Sequence, residues 1–167
     1  MPSASDPGNP MITKRIDAIT LIPPERRQVA PPAPRSVKIE LTGRCNYRCS
    51  FCALRSRASQ PAGDMDFKLF QRIVREMRQA GVEEIGLFFL GESFMAKELL
   101  KNAIWDLKDK VKMPYVFLTT NGSLADAHTV DDCMAAGLDS LKWSVNAADA
   151  EQFAQIMQVK PALWETS

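Results

Sequence analysis

The chain has 167 residues, 46% hydrophobic and 25% charged, which suits one globular domain with a sizeable core and excludes a disordered, collagenous or disulfide-dense chain. Lys and Arg total 21 against 20 Asp and Glu, so the formal charge of +1 directs the protein to neither nucleic acid nor anionic lipid. No run approaches the ~18 apolar residues of a membrane span, and MPSASDPGNP lacks the basic and apolar segments of a secretory signal. A cytoplasmic, reducing setting is therefore expected, where the four cysteines bind metal or react sooner than they form disulfides.

Pro2, Pro7, Pro10, Pro23, Pro24, Pro31, Pro32 and Pro34 crowd the first segment. Missing donors and fixed φ block helix and central strand there, so residues 1–36 read as an irregular arm. The apolar piece from Ile16 to Ile22 is too brief to place.

From 37 onward, short β-prone runs alternate with helical patterns. Val37-Lys38-Ile39-Glu40-Leu41 alternates apolar and charged residues. After Asp66, Phe67, Phe70, Ile73, Val74 and Met77 make the apolar face of a helix, with Lys68, Arg72, Arg75 and Glu76 opposite and Gly81 as its stop. The run Glu84 to Leu90 becomes nearly all apolar at its end, as expected of a strand covered on both faces. A helix carrying Leu99, Leu100, Ala103, Ile104 and Leu107 follows, then a strand from Tyr115 to Thr119 and a weaker helix from Ala125 to Ala136 ending at Gly137. The last pair is a strand from Ser140 to Val145 and a helix using Phe153, Ile156 and Met157. Four strand-helix alternations imply an α/β fold with a parallel sheet and right-handed crossovers.

Directly after the first strand stands Thr42-Gly43-Arg44-Cys45-Asn46-Tyr47-Arg48-Cys49-Ser50-Phe51-Cys52. Three thiolates from one tight loop can converge on a soft-metal centre, and thiolate sulfur favours zinc or iron-sulfur clusters. Structural zinc normally takes four ligands. The remaining cysteine, Cys133, lies in a helical pattern far downstream and reads as a small buried residue, and His128 reads as a helix-surface residue. Arg44, Arg48, Arg55 and Arg57 around the loop read as a solvated basic face, and Met65, Met77, Met134 and Met157 as core filling. Tyr47 either stacks beside the metal centre or closes the loop.

The segment CNYRCSFC, with Phe51 just before the third cysteine, resembles the signature of the radical S-adenosylmethionine (SAM) enzymes. The resemblance implies that Cys45, Cys49 and Cys52 hold a four-iron, four-sulfur cluster, with one iron left open to the amino and carboxylate groups of SAM. It also implies a test, because β/α barrels gather catalytic residues at the C-terminal strand ends. The second strand runs into Leu90-Gly91-Glu92-Ser93, similar to the family's glycine-glutamate segment that holds the SAM ammonium. Leu90 stands where a second glycine is common, and Ser93 where proline is usual. The third ends in Thr119-Thr120-Asn121-Gly122, similar to a threonine-asparagine-glycine segment beside SAM. The fourth ends in Ser144-Val145-Asn146, similar to the polar pair that contacts the SAM ribose, with Asn146 where an acidic residue often stands. Ser144 and Asn146, two apart, share one face of a strand.

Expected SAM contacts are therefore Phe51, Gly91, Glu92, Thr120, Asn121, Ser144 and Asn146. The implied fold is a partial parallel β/α barrel of about four βα units over residues 37–167. The implied activity is reductive cleavage of SAM to a 5′-deoxyadenosyl radical that abstracts hydrogen from a substrate, with a flavodoxin or ferredoxin as reductant. The cysteine loop and the Ser144–Ala148 segment look like those of members that carry a C-terminal cysteine-rich extension and modify peptides or proteins. With four units where a complete barrel has six, the chain is expected to be a fragment or to need a partner over its open sheet edge. The rival readings are a non-catalytic remnant binding cluster or SAM, and a zinc-binding interaction module.

Overall fold

The structure is a computed structural model that describes residues 24–53 and 63–166. The Ile16–Ile22 piece, Arg55 and Arg57 lie outside the described residues. The chain divides between Pro32 and Ala33 into two units. In the first, Pro24–Arg26 make one 3-10 turn, closed by the Arg27 amide donating to the Pro24 carbonyl at 3.1 Å.

The second unit holds the sheet. Its strands are β1 (Ser36–Lys38), β2 (Glu84–Gly86), β3 (Tyr115–Thr120) and β4 (Ser140–Trp143), all parallel and in the order β1-β2-β3-β4. Val37 pairs with Ile85, Ile85 with Val116, and Leu118 with Leu141. The helices are α1 (Phe67–Gln79), α2 (Lys97–Trp105), α3 (Ala127–Ala135) and α4 (Ala150–Met157). Strands in sequential parallel order with one helix after each form a partial β/α barrel: the alternation implied the parallel sheet, and the family resemblance the barrel.

Each helix is where its local chemistry puts it. Asp66 accepts the Leu69 amide at 2.8 Å and starts α1, whose Phe70 and Val74 are fully buried. Gly81, at φ +98°, ends it: its amide bonds to the Arg78 carbonyl and that of Val82 to Met77, the paired C-terminal closure that a left-handed residue allows. Asp126 and Asp149 cap α3 and α4 in the same way as Asp66, through Thr129 and Gln152. A 3-10 turn, Ser93–Ala96, leads into α2, and one π-helical turn, Asp106–Lys110, continues it past the expected Leu107.

β1, β2 and β4 are shorter than their apolar runs, while β3 runs one residue past the expected Thr119. β2 stops at Gly86, and its ladder ends when the Leu87 amide reaches the Phe117 carbonyl. The apolar tail is not a covered strand: Phe89 is 62% exposed and the chain turns away from the sheet there. β1 likewise departs after the Ile39 amide bonds to Gly86, and β4 ends before Ser144, so Ser144 and Asn146 lie beyond the strand.

Among the described residues the apolar side chains form two separate clusters. The larger packs Ile85, Leu87, Val116 and Leu118 of the sheet layer against Phe70, Val74, Leu100 and Ile104. Cys133 is 2% exposed within it, and His128 is exposed on α3. The smaller holds Tyr47, Phe153 and Met157, with Ile156, Leu163 and Trp164 around them. Among the described residues no helix is long and apolar enough to cross a membrane.

Candidate functional site

The four C-terminal strand ends open onto one cleft. Its wall contains all ten residues singled out in the sequence: Cys45, Cys49, Phe51 and Cys52 from the loop after β1, Gly91 and Glu92 after β2, Thr120 and Asn121 at the end of β3, and Ser144 and Asn146 after β4. Tyr47, Arg48, Phe88, Phe89, Leu90, Thr119 and Met157 complete it.

The cysteine loop is tied to the turns after β2 and β3 and to α4. Arg44 spans its base, with Nη2 donating to both Asp64 carboxylate oxygens at 2.8 Å and to the Met95 carbonyl at 3.0 Å. That ion pair is the reason Arg44 is not a free member of a basic face. The Glu92 amide donates to the Arg44 carbonyl at 2.8 Å. Gly91 is required beside it, because a Cβ there would stand 2.0 Å from the Thr42 carbonyl oxygen. Towards β3, Asn121 Nδ2 donates to Asn46 Oδ1 at 2.9 Å, and Asn46 Nδ2 to Ser123 Oγ at 2.7 Å.

On the other flank the loop sits on the end of α4. The Ser50 and Arg48 amides donate to the Ile156 and Met157 carbonyls at 2.7 and 3.3 Å, using acceptors that a helix C-terminus leaves open. Tyr47 meets Phe153 edge to face at 6.0 Å, and Phe153 meets Trp164 likewise at 5.5 Å. The Cys49 thiol donates to the Met157 sulfur at 3.3 Å. Tyr47 thus closes the loop from below, and Met157 both fills a core and touches a cysteine.

Burial pushes the Cys49 thiol up to about 11, with Cys45 and Cys52 adding to the rise, and burial also raises Cys45. The Cys45 and Cys52 sulfurs thus both lie near enough to bear on Cys49. Glu92, 3% exposed, accepts Thr120 Oγ1 and the Phe94 amide on Oε1 at 2.9 and 3.1 Å, and the Asn121 amide on Oε2 at 2.8 Å. Burial raises its carboxyl, and these bonds only partly offset the rise. All three donors are neutral, and among the described residues no Lys or Arg pairs with it.

Residues 39–167 match the sequence profile of the Radical SAM superfamily. The chain belongs to that family. Among the relatives of this radical SAM chain are the AdoMet-dependent heme synthase of Methanosarcina barkeri, 30% identical over 119 residues, and a probable GTP 3′,8-cyclase of Methanococcus maripaludis, 30% identical over 122. These matches cover 71% and 73% of this chain but only 33% and 40% of the relatives' lengths. The fold is also that of BtrN, solved in complex with AdoMet and 2-DOIA, at TM-score 0.59 and 19% identity over 79% of this chain and 54% of that one. Streptococcus suis SuiB bound to S-adenosylmethionine aligns at TM-score 0.65 and 22% identity, over 80% of this chain and 30% of that one.

Two contacts of the site escape the sequence motifs. Met157 reads as core filling, and nothing in its spacing announces a contact with the cysteine loop; of the two readings of Tyr47, closure of the loop is the one its packing on Phe153 matches. The second is Glu40, which strand alternation sends to a solvent face; the structure half-buries it beside Leu90 and Gly91.

Proposed function

We propose that this chain is the cluster- and SAM-binding part of a radical SAM enzyme. The observation that supports it is the convergence of four separated strand-end segments on one cleft. The donor set suits an iron-sulfur cluster: three soft thiols stand on one loop, and Cys133 lies in the main core, so the thiol set remains one short of four. Among the described residues no three His, Cys, Asp or Glu side chains gather as one metal ion would need, which suits a multi-iron group better than mononuclear zinc.

In this reading Cys45, Cys49 and Cys52 would hold a 4Fe-4S cluster. Such a cluster would supply the electron, delivered by a flavodoxin or ferredoxin, for reductive cleavage of SAM to methionine and a 5′-deoxyadenosyl radical able to abstract hydrogen from the substrate. The protein binds, orients and excludes water. Glu92 accepts the SAM ammonium; a buried carboxylate without a protein cation is costly, and a cationic ligand offsets that cost. Gly91 brings the turn against the loop, Thr120 and Asn121 hold the Glu92 carboxylate, and Phe51 packs on the nucleoside. Ser144 and Asn146 take the ribose hydroxyls; they lie in the irregular segment after β4, Ser144 half-buried and Asn146 exposed, where Asn146 Nδ2 donates to the Ser144 carbonyl at 3.2 Å. For the whole enzyme the substrate class is a peptide or protein, on the likeness of the cysteine loop and Ser144–Ala148 to members that modify them; SuiB, of the same fold, is solved with its precursor peptide SuiA.

Anaerobic reconstitution with iron and sulfide tests the reading. A broad absorbance near ~400 nm is expected, together with 5′-deoxyadenosine once reductant and SAM are added. Cys49→Ala abolishes the band and Cys133→Ala keeps it. Stoichiometric zinc without the band, or equal loss in both variants, overturns the ligand assignment.

A further inference from the structure

The turn that carries Glu92 has an unusual anchor. After the β2 ladder ends, the Leu90 and Gly91 amides have no strand to pair with, and a buried unpaired N–H is costly. Both donate to one oxygen, Glu40 Oε1, at 2.8 and 2.7 Å. The next amide, Glu92, donates to the Arg44 carbonyl at 2.8 Å, so three successive amides of the turn are held by the exit of β1. The Glu92 carboxylate is thereby aimed at Thr120 and Asn121 across the cleft. Glu40 itself has only neutral donors on that oxygen, and among the described residues it forms no ion pair. Two carboxylates thus flank Gly91, and among the described residues no Lys or Arg forms an ion pair with either.

We propose that Glu40 is a positioning residue for SAM: it bridges the Leu90 and Gly91 amides and so sets the orientation of Glu92 toward the ligand's ammonium. The proposal rests on the SAM-binding reading above. Glu40 does not touch the cysteines, so its removal loosens the turn and spares cluster assembly. A glutamine keeps an oxygen with two lone pairs at the same place and preserves the bridge. An aspartate keeps the charge but is one methylene short of both amides.

The test uses the full chain, reconstituted anaerobically, with three readouts: iron and sulfide content, the dissociation constant for SAM by equilibrium dialysis, and hydrogen exchange at the Leu90 and Gly91 amides. Glu40→Ala and Glu40→Asp are expected to keep wild-type iron, to weaken SAM roughly ten-fold, the order set by losing charge-assisted hydrogen bonds, and to speed exchange at both amides. Glu40→Gln recovers most of the affinity and the protection. SAM binding by Glu40→Asp equal to wild type, or parallel loss of iron and SAM in Glu40→Asp and Glu40→Gln, overturns the proposal. A wild-type chain that takes up iron but binds no SAM overturns instead the reading on which it rests.

Discussion

The two flanks of the cysteine loop are held by different physics. Toward β2 and β3 the contacts are polar and directional: Arg44 to the Met95 carbonyl, Asn46 to Asn121 and Ser123, and the Glu92 amide to Arg44. Toward α4 they are mainly apolar, with Tyr47, Phe153, Met157 and Trp164 forming a small core of their own. A hydrogen bond adds about 0.5–1.5 kcal/mol net, whereas a fully buried large side chain adds about 1.5–3. The apolar flank therefore carries the stability of the loop, and the polar flank sets where its neighbours point. Ligand recognition and loop stability are expected to separate on mutation.

The largest effect is expected on the apolar side. Phe153→Ala removes the ring between Tyr47 and Trp164 and costs about 3–5 kcal/mol, as for large aromatic truncations in packed cores. Thermal unfolding should show that loss and reconstitution a drop in iron uptake; full iron uptake would break the claim that α4 braces the loop. Glu92→Gln comes second. It replaces a carboxylate in a site with only neutral donors, so SAM affinity should fall on the order of ten-fold or more while iron content stays, since charged hydrogen bonds are worth about 1.5–3 kcal/mol. Equal loss of iron would show that the polar flank also carries stability. The smallest effect belongs to Asn46→Ala, which cuts the exposed links to Asn121 and Ser123. About 1 kcal/mol at most is expected, read as a few-fold weaker SAM binding with unchanged thermal stability.

Much of the polar flank was legible as motif. Cys45, Cys49 and Cys52, Glu92, Asn121 and Asn146 stand at strand ends in chain order, and strand ends of a parallel β/α sheet share a face. The α1 boundary was equally readable, because Asp66 and Gly81 act locally. Strand lengths were not, since Phe88 and Phe89 look like covered strand and instead line a cleft. Nor was Glu40, whose alternation says solvent: two amides from a turn 50 and 51 residues later claim its carboxylate.

What the sequence determined by itself is what short-range chemistry and periodicity encode: the alternation of strand and helix, the caps, the three-thiol loop and the family likeness. What only the tertiary structure decided is which distant groups meet. The seating of Ser50 and Arg48 on the open carbonyls of α4, the contact of Cys49 with Met157, and the capture of the Leu90 and Gly91 amides by Glu40 all arise from chain ends brought together by the sheet. Their spacing along the chain has no period, so no pattern in the residues announces them.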